Sequence, residues 1–557
     1  MGFKLNPFTG TLDVVGSSGS SAYARSATLV VAASDSLDTT NVDYLCDGTA
    51  DEVQIEAAVA ALPSGGGRIV LMEGLFTIGA AVDLTKSSVT VEGQGTATII
   101  KLADATNVNC INVGAGVTAY NHIKIKNLKV DGNVANQTTG GHGVNINTGA
   151  SYTEIDNCWI VDCYTANIYD AGGDQTYIHD NHLDNSNNSY ANIEGVGDNA
   201  RIIGNHLNDG VYANISIYNG AGGLGATNGC VVANNVCTNS GGFGIENANW
   251  ATDITGNFIT TFASNGIKST LPANISANSI IVDSNPSAAC IFVDSSDPQT
   301  VTGNHILVVS GNSAAVVGVQ VDASGMVVSG NTIQFETNQA HIGIKVTSGD
   351  YQTISGNNIV EYDGTVGSFG IQFTTARLHV TITGNILYQF ETGIGFNGGS
   401  LESASIAGNS FLCRYGLILT DCTSVSVTGN SFYDYGAGEA IKAVNTARKD
   451  QISIVGNTFE AYNNDVISLQ GVGYSTVANN VMGCTGTNAI FLTSAGVAYS
   501  IYNSITGNVI EGACTNGIKE NSVNDGPSVI IGNIVPSATN KIVSAHVSTD
   551  VSHNITA

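Results

Sequence analysis

One short pattern recurs along most of the chain and constrains its fold more than any other feature. It reads apolar residue, any residue, Gly or Ala, Asn, any residue, apolar residue, with the Gly or Ala sometimes replaced. Gly and Asn tolerate the left-handed backbone region, so each copy marks a sharp turn. The sixteen asparagines, 21 to 29 residues apart, are Asn157, Asn181, Asn205, Asn234, Asn257, Asn278, Asn304, Asn331, Asn357, Asn385, Asn409, Asn430, Asn457, Asn479, Asn508 and Asn533.

A second short strand follows in each copy and is introduced by glycine in most of them. Examples are GVNIN from Gly143, GIEN from Gly244, GIKV from Gly343 and GIKE from Gly517. Two or three strands in about 25 residues cannot bury a hydrophobic face alone, but stacked copies can, each strand pairing with those above and below. We therefore predict a parallel coil over residues 150–535, with asparagines hydrogen-bonded from turn to turn.

The segment DGTADEVQIEAAVAALPSGGGRIVLMEGLFTI, residues 47–78, predicts a helix that closes one end of the coil. Thr49 or Asp51 would cap this helix, and Pro63 with the following glycines would end it. Covering the end hides unpaired strand edges. The predicted apolar positions of the helix are Val53, Ile55, Ala58, Val59 and Leu62.

Together, the repeat and this segment resemble the right-handed parallel β-helix of the pectate-lyase-like superfamily, in its phage tailspike and tail-fibre form. The resemblance implies an all-β, single-stranded right-handed solenoid with a short N-terminal capping helix. The opening MGFKLNPFTGTLDVVG resembles virion-attachment leaders. We divide the chain into a leader for possible virion attachment (1–26), a capping module (27–105), the β-helix (106–535) and a C-terminal tail (536–557).

Composition excludes several classes of partner. The chain carries 45 acidic and 18 basic residues, a net charge of −27, which repels nucleic acid and anionic membranes. We expect no signal peptide and no membrane insertion. The eleven cysteines are scattered and never form a CxxC pair, so we expect them reduced, as in a protein made in the host cytoplasm.

Side chains alternate along a strand, so the middle residue of each Ile-x-Ile strand faces outward. Both glutamates of this outward column, Glu194 and Glu246, lie within three turns of each other, and Lys268 follows one turn later. Their backbones should lie about 9–10 Å apart. Side chains that lean towards each other would bring the two carboxyls into the separation used by inverting glycosidases, which leaves room for a water between them.

The surroundings of this pair share its chemistry. Between residues 150 and 260 there are twelve acids and a single base, Arg201. Carboxylates beside aromatic rings suit a sugar polymer, although acids on a solvated face are also commonplace. The predicted catalytic residues are Glu194, Glu246, Asp170 and Asp198; the predicted substrate-binding residues are Trp159, Tyr169, Tyr218, Trp250, Lys268 and Arg201.

The histidines give weaker signals. His142 lies in a Gly-His-Gly that polygalacturonase-like β-helices share, but their companion acidic motifs are absent, which favours a turn residue. His182 and His206 follow ladder asparagines on adjacent turns and are expected to stack on each other. A metal site there would need His179 or Asp180 as a third ligand, and we predict no metal.

Three functions remain open from the sequence. The first is a phage tailspike-like depolymerase, an endo-acting glycoside hydrolase on a bacterial surface or capsular polysaccharide. The second is a polysaccharide lyase, which needs a strong base and, in this acidic region, bound calcium; the hydrolase needs no cofactor. The third is a non-catalytic glycan-binding fibre or adhesin. The resemblance further implies a homotrimer, a tail or baseplate contact through the N-terminus, and a virion tail location, with secretion as the alternative.

Overall fold

The computed structural model is an all-β parallel β-solenoid of about 18 turns, with one short α-helix in the part of the chain described, as the sequence predicts. One turn of the solenoid is called a rung below. The structure describes residues 2–5, 12–15, 27–114, 118, 120–219, 229–295, 297–309, 312–362, 365–396, 401–496, 498–521 and 524–556. Most of the predicted leader therefore lies outside the described residues; within it, Gly2–Leu5 pairs antiparallel with Leu12–Val15.

Each rung contributes strands to three parallel faces. Face 1 contains the strands Thr28–Ala32, Gly67–Leu71, Glu154–Asp156, Tyr177–His179, Arg201–Ile203, Val231–Ala233, Thr252–Thr255, Ala273–Ser276, Thr300–Thr302, Val327–Ser329, Thr353–Ser355, Arg377–Leu378, Thr381–Thr383, Leu401–Ala407, Thr423–Thr428, Ile452–Val455, Thr476–Ala478, Ser504–Thr506, Val529–Ile531 and Asp550–Ser552.

Face 2 follows face 1 in each rung. It contains Gly74–Ile78, Trp159–Cys163, His182–Ser186, His206–Gly210, Val236–Thr238, Phe258–Thr260, Ser279–Val282, His305–Val308, Thr332–Phe335, Asn358–Glu361, Ile386–Tyr388, Ser410–Cys413, Ser431–Asp434, Thr458–Tyr462, Val481–Cys484 and Val509–Glu511. The short strand Tyr44–Leu45 pairs in parallel with the end of Thr28–Ala32 on face 1. Two long strands, Val89–Leu102 and Lys124–Asp131, run through both faces.

Face 3 completes the rung and forms a separate sheet. Its strands are Val82–Leu84, Ile111–Val113, Val144–Ile146, Ile168–Asp170, Ile193–Val196, Ala213–Asn219, Phe243–Asn247, Ile267–Ser269, Ile291–Val293, Val317–Asp322, Ile342–Ser348, Phe369–Phe373, Thr392–Phe396, Tyr415–Thr420, Ile441–Asp450, Ile467–Gly473, Asn488–Thr493, Asn516–Glu520 and Asn540–Val543.

A continuous ladder of buried asparagines lies at the turn between faces 1 and 2. In each step the backbone N–H and the side-chain Nδ2 of one asparagine donate to Oδ1 of the next; from Asn181 to Asn205 these distances are 3.1 and 3.0 Å. Nδ2 of Asn181 also donates to the carbonyl oxygen of Ile155, 2.9 Å away. All the hydrogen-bonding groups of a ladder asparagine are thereby used inside a dry turn.

The predicted ladder is wrong at three positions. Asn157, Asn234 and Asn479 have φ values of 52°, 54° and 54°, so they occupy the left-handed position that glycine holds in most other rungs. Asparagine tolerates this region, which is why the sequence pattern admitted them. The ladder positions beside them are Cys158, Asn235 and Asn480, and the ladder extends to Asn554 at its C-terminal end.

The capping helix spans Glu52–Ala61, as predicted. Asp51 is its N-cap residue but makes no capping bond; its carboxylate accepts instead from the backbone N–H groups of Gly48 and Thr77, at 2.9 and 2.8 Å. At the other end, the Lys86 ammonium donates to the carbonyl oxygen of Ala60, which satisfies a terminal acceptor of the helix. Val53, predicted to face the core, is 58% exposed.

Stacked apolar side chains fill the solenoid. Phe411, Phe432 and Phe459 of successive rungs lie face to face, with centroids 4.6 and 4.8 Å apart. All eleven cysteines are free and buried, which agrees with the expectation of reduced thiols. Among the described helices, none has the length and apolar character needed to cross a membrane.

Candidate active site

The outward column of face 3 has the register that the sequence predicts. Tyr169, Glu194, Ser216, Glu246 and Lys268 are Cα partners on five successive rungs. Neighbouring parallel strands lie about 4.8 Å apart, so the backbones of the two glutamates are separated by about 10 Å. The solenoid thus brings together two carboxylates that are 52 positions apart in the chain.

The carboxylate of Glu194 is largely withdrawn from solvent, with 9% of the residue exposed. Oε1 accepts a hydrogen bond from the Tyr218 hydroxyl at 2.7 Å, and Oε2 accepts from the Ala191 backbone N–H at 2.8 Å. Burial raises the pKa of Glu194, and the nearby charge of Glu246 adds to that rise, while the two hydrogen bonds oppose it. Glu194 therefore holds a proton more readily than an ordinary glutamate.

Glu246 lies in a different environment. Its Oε1 forms an ion pair with the Lys268 ammonium at 3.0 Å, and its Oε2 accepts from the Tyr212 hydroxyl at 2.6 Å and the Ser216 hydroxyl at 3.1 Å. Lys268 also lies over the Phe243 ring, 4.9 Å from its centroid. Two hydroxyl donors and a cation around one carboxylate are the surroundings of an acceptor.

Aromatic rings line the approach to these carboxylates. Tyr169 stacks on His142 with centroids 4.5 Å apart, and Tyr190 meets the same imidazole edge-on at 5.6 Å. Burial lowers the pKa of His142 to about 4, so its ring is neutral near pH 7. Tyr190 and Tyr212 lie in the turns that lead into face 3, and neither was assigned a role from the sequence. The available signal was their position before strands of the outward column, Tyr190 before the strand of Glu194 and Tyr212 before the strand of Ser216.

The structure does not bring all predicted binding residues to this cluster. Tyr169, Tyr218 and Lys268 join the glutamates, as shown by the contacts above. Trp159 lies on face 2, 42% exposed, with its ring edge-on to His182 at 4.8 Å. Arg201 lies on face 1, and Trp250 lies in the turn after a face-3 strand. The sequence places residues on rungs but does not assign turn residues to a face.

Asp170 does not face a substrate. It is fully buried, and its Oδ1 accepts from the backbone N–H groups of Gly172 and Gly173 at 3.0 and 2.6 Å. Alternation explains this, because Asp170 follows the outward Tyr169 and so points inward. Asp198 lies half-buried in the turn between faces 3 and 1, where its carbonyl oxygen accepts from the Gln175 N–H.

Burial raises the pKa of Asp170 to about 6, which predicts a local dependence of stability on pH. A raised pKa in the folded state means that stability is greatest below the unfolded value and falls as pH rises through about 6. Two pKa units correspond to about 2.7 kcal/mol. We expect the opening free energy of this turn, measured by exchange of the Gly172 and Gly173 amides, to fall by up to that amount from pH 4 to pH 7.

In Asp170→Asn this dependence should disappear. Asp253→Asn, at an exposed face-1 position, is the matched control and should retain it. An unchanged pH dependence in Asp170→Asn would refute the assignment of this effect to Asp170.

Two histidine features lie outside the cluster. The His182 and His206 rings contact each other as neighbours on adjacent rungs, with centroids 5.0 Å apart, but their planes are tilted by 33° instead of stacked as predicted. A separate group on face 1, Glu154, Asp156 and His179, has its ligand atoms within 4.8 Å of one another. The Lys124 ammonium lies 2.8 Å from Glu154 and 3.5 Å from Asp156, so a cation of the protein already neutralises this group.

The strand pairing and this cluster define the class of protein as a parallel β-solenoid with paired carboxylates on one face. No protein-family model and no curated protein matches the chain. The similarity to solved structures is one of fold. A DFA-IIIase from Arthrobacter chlorophenolicus A6 is 12% identical, with 63% of this chain and 93% of that chain covered and a TM-score of 0.41.

Two further solved structures share the fold at similar identity. Tailspike protein 3 of bacteriophage CBA120 is 13% identical, with 70% of this chain and 56% of that chain covered and a TM-score of 0.30. The A-module of a mannuronan C-5 epimerase from Azotobacter vinelandii is 16% identical, with 92% and 96% covered and a TM-score of 0.23.

Proposed function

We propose that the protein is an endo-acting glycoside hydrolase that cleaves a bacterial surface or capsular polysaccharide, with Glu194 as general acid and Glu246 as general base. The observation that carries this proposal is the contrast between the two carboxylates. They lie two rungs apart on one face; burial raises the pKa of Glu194, whereas Glu246 accepts from Lys268 and two hydroxyls. Carboxyls in environments that differ in this way suit acid and base roles.

The assignment of Glu194 as acid and Glu246 as base defines the reaction. Glu194 gives its proton to the glycosidic oxygen as the bond from that oxygen to the anomeric carbon breaks. Glu246 takes a proton from a water whose oxygen forms the new bond to the anomeric carbon. A separation of about 6.5–9.5 Å between carboxyls admits that water and inverts the anomeric configuration. Tyr218 and Tyr212 hold the two carboxylates in place through their hydroxyls.

Elimination by a lyase is the second candidate. It needs a basic side chain to remove the proton beside a uronate carboxyl, and Lys268 is the cation nearest to Glu246 among the described residues. Lys268 is held as an ammonium in an ion pair with Glu246 and over the Phe243 ring, which does not suit a base. We therefore rank hydrolysis first. A non-catalytic glycan-binding fibre is the third candidate.

The assembly we propose follows the sequence resemblance. The protein is placed in the virion tail as a homotrimer whose β-helix faces lie side by side, with its N-terminal residues towards the tail or baseplate. Sedimentation velocity should then give the mass of three 57.1 kDa chains. A monomer at micromolar concentration would contradict the trimer.

Incubation with a panel of purified bacterial exopolysaccharides tests the activity. A hydrolase releases new reducing ends without ultraviolet absorbance, whereas a lyase gives both, because elimination leaves an unsaturated sugar. We expect reducing ends alone. Absorbance that rises with them would favour the lyase, and retention of a polysaccharide on immobilised protein without cleavage would favour the fibre.

A further inference from the structure

An open cleft of about 730 Å³ lies on face 1, on the same rungs as the carboxylate cluster of face 3. Its floor includes Glu154, Tyr177, Arg201 and Val231, which are Cα partners on four successive rungs. Three rung spacings of about 4.8 Å give it a length of about 14 Å. This length accommodates two to three pyranose units.

Flat rings form the walls of this cleft. Tyr152, 46% exposed, stacks on His122 with centroids 4.6 Å apart, and its hydroxyl accepts from Nε2 of Gln175 at 3.1 Å. Tyr177 is stacked on His179 from one side, with centroids 3.9 Å apart. Rings held by neighbours in this way lose little conformational freedom when a sugar packs against them.

The charge of the cleft differs from that of its surroundings. Arg201 is the only Lys or Arg between residues 150 and 260, and its guanidinium lies over Tyr177 at 5.1 Å from the ring centroid. Among the described residues no carboxylate forms an ion pair with it. Glu154, the acid that lines the cleft, is already paired with the Lys124 ammonium at 2.8 Å and with His179 at 3.0 Å.

We propose that this cleft is a second saccharide-binding site, separate from the carboxylate cluster, that takes a carboxylate-bearing pyranose of the polysaccharide. Arg201, held over the Tyr177 ring, binds the planar carboxylate, whose geometry its guanidinium matches, and the exposed Tyr152 ring packs on a sugar face. The choice of a polysaccharide rests on the proposed function, whereas the preference for an acidic sugar rests on Arg201. A polysaccharide chain that follows the rungs around the edge between faces 3 and 1 would contact both the carboxylate cluster and the cleft.

Two matched monosaccharides test the proposal on the full chain. Methyl glucopyranosiduronate and methyl glucopyranoside differ only in the carboxylate, and their binding can be titrated by ligand-observed NMR. Charge-assisted hydrogen bonds predict a preference for the uronide of about tenfold or more. Arg201→Gln should remove this preference, and Tyr152→Ala should weaken both ligands.

Arg414→Gln is the control, because Arg414 also lies over a tyrosine ring but is paired with Glu391. It should leave the preference intact. Equal binding of the two sugars, or an undiminished preference in Arg201→Gln, would overturn the proposal. The proposal would also be overturned if equimolar inorganic phosphate displaced the uronide and Tyr152→Ala bound both sugars as well as the unmodified protein does, because the cleft would then bind anions without recognising a sugar ring. The titration does not involve cleavage, so its failure is distinguishable from failure of the hydrolase.

Discussion

Glu194→Gln is expected to lower the turnover number on the cleaved polysaccharide by about 10²–10⁴-fold, the contribution of one positioned acid or base. Glutamine keeps the size of the side chain; its amide oxygen can still accept from the Ala191 N–H and its NH2 group can donate to the Tyr218 hydroxyl, so the fold should be unaffected. What it loses is the proton that leaves with the glycosidic oxygen. The loss should appear in kcat rather than KM, because the proton is transferred only in the transition state.

Glu246→Gln should give a loss of similar size through the other half of the reaction, since an amide cannot take a proton from water. Glu460→Gln is the matched control, because Glu460 is exposed on face 2 many rungs away. Reducing-end release by the three variants and circular dichroism of each complete the comparison. Full activity in both Glu194→Gln and Glu246→Gln would remove the site assignment while leaving the fold intact.

The pH profile offers an independent readout of Glu194. Activity that depends on its protonated form should fall as pH rises through its raised pKa, so the alkaline limb of kcat/KM reports this group. The Tyr218 hydrogen bond lowers the pKa of Glu194. Tyr218→Phe should therefore move the alkaline limb to higher pH, whereas a purely structural tyrosine would lower activity at every pH without moving the limb.

The fold was predictable because each rung repeats the same physical requirement. A left-handed turn residue followed by a buried asparagine gave the strand register, and that register placed Glu194 and Glu246 on one column. The wrong ladder assignments arose where the residue after the asparagine of the pattern, and not that asparagine, fills the ladder position. In Ala233-Asn234-Asn235 both asparagines fit the pattern, and only the structure shows that Asn234 takes the left-handed position and Asn235 the ladder.

The site was predictable only in part, because strand alternation applies to strands and not to the turns between them. It placed the column residues Tyr169, Glu194 and Glu246 correctly but gave no position for Tyr190 or Tyr212, which lie at the turns. Trp159 and Arg201, close in sequence to the glutamates, lie on strands of faces 2 and 1, because each rung divides its residues among three faces. Burial, which sets the raised pKa of Glu194, depends on those turn residues and was also not predictable.

Asn331→Ala is expected to give a large loss of stability, because it removes one step of the asparagine ladder. Asn331 is fully buried, and its Oδ1 accepts from the backbone N–H and Nδ2 of Asn304 at 2.9 and 3.0 Å. Its own Nδ2 donates to the Val301 carbonyl oxygen and to Oδ1 of Asn357, both at 2.9 Å. Alanine leaves two buried donors of Asn304 without an acceptor, at about 1–3 kcal/mol each, so about 2–6 kcal/mol in total.

Because a solenoid opens locally rather than as one unit, the loss should concentrate in the rungs beside the substitution. Amide hydrogen exchange should show faster opening around Val301, Asn304 and Asn357, while distant rungs keep their protection. Asn338→Ala, an exposed asparagine of the same rung, is the control and should change stability by no more than about 0.5 kcal/mol. Equal protection in Asn331→Ala and the control would mean that strand pairing and core packing hold the rungs without the ladder. Each ladder asparagine holds the turn that sets the register of the next strand. A loss of amide protection around Asn331 in Asn331→Ala would therefore show that the ladder keeps residues of different rungs aligned on one column.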